Sequence, residues 1–180
     1  MSSFTLPIVE ALREPQIPHH YEPTLVVGDD WGTDFARVEP GEVDADVTLT
    51  AMEGGVLAET SLDLPWASEC SRCTDPVRGT LELDLSDFYE AESGDRDDED
   101  DEGLYHQGTE LDLEPRLREE AVLALPLLPL CEPDCEGLCQ ECGKPWRELP
   151  DDHAHEQVDP RLAGLAALLE GRNVQEGQDD

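Results

Sequence analysis

Six cysteines and a closely spaced histidine pair are the residues most capable of chemistry in this chain. Their order is Cys70-x2-Cys73, then Cys131-x3-Cys135-x3-Cys139-x2-Cys142, then His153-x-His155. Two cysteines separated by two residues can place both sulfurs on one metal ion at about 2.3 Å. In Cys139-Gln-Glu-Cys142-Gly143-Lys144, Gly143 can take the positive φ that folds the chain back under the sulfurs. Cys70-Ser-Arg-Cys73 falls between two predicted strands, a common seat for such a knuckle. Two knuckles far apart in sequence point to structural zinc.

Several ligand sets fit the spacing. A ribbon would use Cys70, Cys73, Cys139 and Cys142. A local site would use Cys131, Cys135, Cys139 and Cys142. With His153 and His155 there are eight potential ligands, enough for two four-coordinate ions. The reading favoured on locality is one zinc on the local four-cysteine cluster, with Cys70, Cys73 and the histidines forming or completing a second site. The competing readings are free cysteines packed as small apolar residues, an iron–sulfur cluster, and surface histidines with no ligand role.

Catalysis is not indicated. A catalytic zinc keeps an open position beside a general base, and among so many carboxylates none stands out. The chain carries no phosphate loop and no His-Glu-x-x-His motif. Cys-x-x-Cys can be a redox pair, but no thioredoxin-like βαβ pattern surrounds it. The expectation is a non-enzymatic protein in which structural zinc contributes to folding, on the order of 10 kcal/mol per ion in zinc-finger peptides.

The elements that must position these ligands are mostly strands. Val43 to Ala51 alternates apolar and polar residues, as does Val56 to Leu64, with Glu53-Gly54-Gly55 as the turn between them. A third alternating run covers Val77 to Ser86. These runs predict an antiparallel meander with one wet, acidic face. Residues 5–13 suggest a short helix capped by Thr5. The proline-rich stretch 14–42 reads as irregular, with a strand at Thr24–Val27. A strand near Thr109–Leu113 precedes a helix that Pro115 opens and Pro126 ends, with Leu117, Ala121 and Ala124 on one face. Asp159, Pro160 and Gly171 bracket a last helix with a Leu162, Leu165, Leu169 stripe. The expected class is therefore α+β: a β-meander core with short helices, and a C-terminal zinc-knuckle segment over 131–155 followed by a helix. A single domain is expected over 1–171, with an acidic disordered loop at 90–103 and a disordered tail at 172–180.

The 180 residues include 11 Lys and Arg against 45 Asp and Glu, a formal net charge of −34. Such a surface repels nucleic-acid phosphates, so direct RNA binding is disfavoured, and a basic protein partner is electrostatically natural. No stretch approaches the roughly 20 apolar residues of a membrane span. The N-terminal residues lack the basic-then-apolar order of a secretory signal. A cytoplasmic location follows as an expectation, where thiols stay reduced.

The cysteine blocks also carry a family resemblance. Cys70-Ser-Arg-Cys73-Thr-Asp-Pro76 resembles the Cys-x-Arg-Cys-x-x-Pro signature of the YceD family. Leu111-Asp-Leu-Glu-Pro115 with Arg118-Glu119 resembles its central block. Leu125-Pro126 through Gly137-Leu-Cys139-Gln-Glu-Cys142-Gly143 is similar to its cysteine block, and Asp159-Pro-Arg-Leu162 to its closing motif. The resemblance spans roughly residues 4 to 170. It implies a role in accumulation of the large-subunit (23S) ribosomal RNA, through its synthesis, processing or stability. Family genes often neighbour that of a small basic zinc-ribbon protein of the large ribosomal subunit. The implied partner is thus a basic ribosomal protein or a large-subunit assembly intermediate. Some members lack the cysteines, which implies that the metal supports structure. Others carry Cys-x-Cys where this chain has His153-x-His155, which implies ligand roles for both histidines. The contrasting possibility is a zinc-dependent or thiol-based enzyme acting on ribosomal RNA, which would need an open metal site and a basic track.

Overall fold

A computed structural model describes residues 4–91, 104–106 and 108–155. The chain packs as two compact units, Met1–Cys135 and Glu136–Asp180.

The first unit is built on the predicted meander. Strands β1 (Thr5–Pro7), β2 (His19–Tyr21), β3 (Thr24–Val27) and β4 (Ala36–Val38) precede three long ones. These are β5 (Gly41–Met52), β6 (Gly55–Glu69) and β7 (Pro76–Ala91), followed by β8 (Tyr105–His106) and β9 (Glu110–Asp112). The main sheet runs β2-β5-β6-β7-β8, with β3 on β5 and β4 on β6, while β1 and β9 pair separately. Among the described residues, all strand pairings are antiparallel except β7 with β8.

Period-two alternation does what the sequence predicts. Val47, Leu49, Val56, Ala58, Leu62 and Leu64 point inward and are at most 4% exposed. Their neighbours Asp46, Glu59 and Asp63 are exposed. Pro65 sits inside β6, where a proline would normally break a ladder. It is tolerated because β5 pairs with β6 only up to Leu62 and β4 begins at Trp66, so one flank of Pro65 requires no donor. Helix α1 (Val9–Arg13) and helix α2 (Glu114–Ala124) complete the unit. Leu117 and Ala121 of α2 are buried beside Leu113 and Leu125. The helix ends as Leu125 turns extended before Pro126. Arg116 ties α2 to β7 through Asp87 at 3.3 Å.

Several local expectations are corrected. Residues 5–7 form a strand, and Ile8, not Thr5, occupies the cap position of the first helix. Phe4, Leu6 and Ile8 are buried while Thr5 and Pro7 are exposed, a period-two signal. The stretch 14–42 holds β2 and β4 as well as the expected β3. Ala124 is exposed and leaves the buried face of α2 to Leu117 and Ala121. Glu90 and Ala91 belong to β7. The acidic run 92–103, the 159–171 helix and the 172–180 tail lie outside the described residues.

The described part of the second unit, residues 136–155, is a compact turn structure. Leu138 and Pro145 form a bridge, and Trp146–Glu148 makes one 3₁₀ turn. No described helix is long and apolar enough to cross a membrane.

Candidate metal centres

The ligand side chains fall into two groups of four, one in each unit. Cys70, Cys73, Cys131 and Cys135 place their sulfurs within 4.8 Å of one another. Cys139, Cys142, His153 and His155 do the same with two sulfurs and two ring nitrogens. All six cysteines are free thiols. These eight are the candidate donors named from the sequence, the cysteines on their spacing and the histidines on the family resemblance. The grouping favoured on locality is not what the structure assembles. Cys131 and Cys135 join the distant Cys70 and Cys73, and Cys139 and Cys142 join the histidines.

The first centre is organised by the β6–β7 connection. β6 ends at Glu69 and β7 starts at Pro76, so Cys70 and Cys73 occupy the turn between the two strands. The Cys70 N–H donates to the Asp75 carbonyl at 2.7 Å, and the Thr74 N–H donates to the Cys70 carbonyl at 2.9 Å. Thr74 closes the turn at φ 62°, unusual for a β-branched residue. The loop after α2 is then brought in by Ser71, whose N–H donates to the Pro129 carbonyl at 2.8 Å. Arg72 donates to the Cys135 carbonyl at 2.6 Å. This delivers Cys131 Sγ to 3.5 Å from Cys73 Sγ, and Cys135 Sγ to 3.8 Å from Cys70 Sγ. Tetrahedral zinc with sulfurs at about 2.3 Å requires S···S separations of about 3.8 Å. Sequence reasoning missed Arg72 and Thr74. The arginine inside Cys-x-Arg-Cys was the available signal.

The electrostatics of these thiols suit a cation. Burial opposes ionisation of Cys70, but backbone N–H groups of Arg72, Cys131 and Cys73 outweigh it and lower its pKa to about 6. Cys73 receives a backbone hydrogen bond at Asp75 that favours its thiolate. Burial and the sulfurs of Cys131, Cys70 and Cys135 overcome this and raise its pKa to about 12. Burial likewise pushes Cys131 up. One thiolate forms readily, and further negative charge is resisted unless a positive ion compensates it.

The second centre is smaller and wetter. The Cys139 N–H donates to the Lys144 carbonyl at 2.8 Å and the Gly143 N–H to the Cys139 carbonyl at 2.9 Å. Gly143 has φ 69°, the positive value anticipated for it. Cys139 Sγ lies 3.2 Å from His155 Nε2, and Cys142 Sγ lies 3.7 Å from His153 Nε2. One tetrahedral ion with sulfur at about 2.3 Å and nitrogen at about 2.05 Å needs about 3.6 Å between them. Backbone N–H groups of Cys142 and Glu141 lower the Cys139 pKa to about 6 against the effect of its burial. The ring of His153 meets Trp146 edge-on at 5.5 Å and His155 at 4.5 Å. Glu141 Oε2 stands 3.9 Å from His155 Nδ1, on the side of the ring away from the sulfurs. A carboxylate there orients a ligating imidazole.

Both donor sets fit zinc. Each offers four soft or borderline donors, the number that a tetrahedral ion takes.

The family model described as "Large ribosomal RNA subunit accumulation protein YceD" matches residues 58–169. The chain is 32% identical over 172 residues to "Uncharacterized protein Rv2926c" of Mycobacterium tuberculosis, covering 93% of this chain and 82% of that one. It is 30% identical to ML1660 of Mycobacterium leprae, over 77% of this chain and 64% of that one. It is 29% identical to YlbN of Bacillus subtilis, over 76% and 78% respectively. No solved structure matches. A family model that spans more than half of the chain, and a relative aligned over nearly all of it, agree with the resemblance read from the cysteine blocks: the chain belongs to the YceD family of large ribosomal RNA subunit accumulation proteins.

Proposed function

We propose that this protein is a non-catalytic ribosome-biogenesis factor that supports the synthesis, processing or stability of 23S ribosomal RNA by binding a basic large-subunit ribosomal protein or assembly intermediate. The family match carries the ribosomal part of this reading. The charge of −34 favours a basic protein over bare RNA as the direct partner. Zinc is the proposed structural metal, one ion on Cys70, Cys73, Cys131 and Cys135 and a second on Cys139, Cys142, His153 and His155. Four donors complete each ion's tetrahedral sphere, which suits a structural role and leaves no site for a metal-bound nucleophile.

Affinity capture at low and at high salt, analysed for both protein and RNA, tests the reading. Basic large-subunit proteins should be recovered at low salt and lost at high salt, because the attraction is screened. Recovery of RNA without protein would contradict it. Metal analysis of the freshly purified, reduced protein should return about two zinc ions per chain. Less than half an equivalent would sink the metal assignment.

A further inference from the structure

We propose that the outer edge of β7 is the docking site for the basic partner, which adds to the sheet as an antiparallel strand rich in Lys and Arg. The inference takes the partner's basic character from the reading above and locates where it binds.

The ladder of β7 is one-sided. Its inner flank pairs with β6 without a break from Glu69↔Pro76 to Gly55↔Glu90. On the outer flank, among the described residues, only β8 pairs with it, at Glu90 and Ala91. From Val77 to Phe88, alternate residues therefore turn both N–H and C=O away from the sheet. Such an edge is a template for another strand, and proteins usually blunt it with charged side chains, proline or a bulge. No proline interrupts Val77–Tyr89 and the register with β6 runs without a bulge, so only its charged side chains restrict what can pair there.

Charge selects what can pair there. On the exposed face β7 presents Arg78, Thr80, Glu82, Asp84 and Ser86. The one base, Arg78, is already engaged by Glu39 at 3.5 Å. Glu82 stands directly opposite Asp63 of β6, a like-charge pair that lysine or arginine on an added strand would relieve. A second copy of this chain would bring carboxylates against carboxylates, so the same pattern disfavours edge-to-edge self-association. On the other face Val77, Leu81 and Leu85 are half-buried. Apolar side chains alternating with the cations of the partner strand would complete their burial.

The test uses the zinc-loaded full chain and a synthetic peptide, Lys-Val-Lys-Thr-Lys-Val-Lys, with a Glu-for-Lys peptide as control. On adding the cationic peptide, hydrogen exchange of alternate amides within 77–88 should slow by about tenfold or more. The acidic peptide should change nothing. The exposed double substitution Glu82→Lys with Asp84→Lys should abolish the protection while the circular dichroism spectrum stays unchanged. Should the reversal perturb the spectrum, Glu82→Gln with Asp84→Asn must still weaken it. Protection confined to another strand, or none at saturating peptide, overturns the proposal. So does slow exchange of those alternate amides in the free protein, since the edge is then already covered. Sedimentation would tell whether a second copy or the chain itself covers it. If basic large-subunit proteins are captured equally well by the charge-reversed variant, the edge assignment falls and the functional reading stands. If the peptide docks as described but no basic ribosomal protein is ever captured, the functional reading falls and the edge stands.

Discussion

The two candidate centres offer a metal the same number of donors in different materials. The centre in the first unit is all thiol, with Cys70 and Cys73 only 2% and 3% exposed. It brings the β6–β7 turn against the loop that follows α2, so Cys73 meets Cys131, 58 positions further along the chain. The centre in the second unit draws its four donors from a short stretch, Cys139 to His155. Cys142 is exposed, and the two imidazoles are half-buried. Apolar burial supports the first unit independently of metal: Trp31, Leu49, Leu64 and Leu117 are at most 1% exposed. In the second unit's described part, only Gly137, Cys139 and no large apolar side chain are buried. A metal in the first centre would add a long-range tie to an existing core, while in the second it would hold together described residues that bury no large apolar side chain.

The largest effect expected from breaking that contrast is at Cys73. Cys73→Ser removes a buried ligand and should release the 126–135 loop from the β6–β7 turn. The melting temperature should fall by at least about 10 °C, since each kcal/mol is worth about 2–4 °C at this chain length. His155→Ala, its counterpart, should lower zinc content by about one ion per chain and leave unfolding of the first unit almost unchanged. Tyrosine signals separate the two outcomes, because Tyr21, Tyr89 and Tyr105 all lie in the first unit. A His155→Ala protein whose tyrosine transition moves as far as that of Cys73→Ser would erase the distinction.

Chelation should resolve the centres in time. A chelator would reach the exposed Cys142 side directly, whereas the buried first centre would have to open before giving up a bound ion. Zinc release into a colorimetric chelator should therefore be biphasic, with the fast phase missing in His155→Ala. The Trp146 environment should change in that phase, because its ring packs on His153. A single phase in the wild-type protein would show that the two ions leave together.

Alkaline titration sharpens the contrast without touching a ligand. Tyr89 is 3% exposed, and its pKa is raised by burial first and then by Asp87 and Asp112. A tyrosine whose folded pKa lies above its unfolded value of 10.0 favours the folded state below that pH. The contribution disappears as pH climbs through the folded value. The first unit should thus lose stability above pH 10, with tyrosinate appearing cooperatively with unfolding. Tyr89→Phe should move that transition to higher pH. The second unit has no tyrosine and should show no such step.

Sequence reading reached these regions unevenly. Alternation around Val47, Val56 and Leu83 revealed the meander, because a half-buried strand writes its burial into every second residue. Phe4, Leu6 and Ile8 wrote the same signal, but Thr5 and Pro7 also satisfy the rules for a helix start, and three residues are too few to decide. The cysteine candidates were legible because cysteine pairs at this spacing have few other uses, while the histidines gained their ligand role only through the family resemblance. Their grouping was not. It depends on Ser71 meeting Pro129 and Arg72 meeting Cys135, contacts across more than fifty residues that local spacing cannot encode. The β7 edge was equally invisible, since an alternating strand reads the same whether one or both flanks are paired.

The smallest expected effect compares how each turn is closed. The chain passes through the left-handed region after each Cys-x-x-Cys pair, at Thr74 with φ 62° in the first centre and at Gly143 with φ 69° in the second. A side chain in this region costs roughly 1–2 kcal/mol, while glycine's extra freedom in the unfolded chain costs about 0.5–1 kcal/mol. Thr74 is exposed, so Thr74→Gly sacrifices little packing and should stabilise the first unit by up to about 1 kcal/mol. At Gly143 an added Cβ would meet nothing within 4 Å. Gly143→Ala therefore carries only the backbone penalty and should destabilise the second unit by about 1 kcal/mol. The two substitutions should move chemical denaturation in opposite directions, each in its own unit. If Thr74→Gly instead weakens the first unit, the threonine side chain makes a contribution beyond closing the turn, and the strained conformation is maintained by something that this side chain supplies.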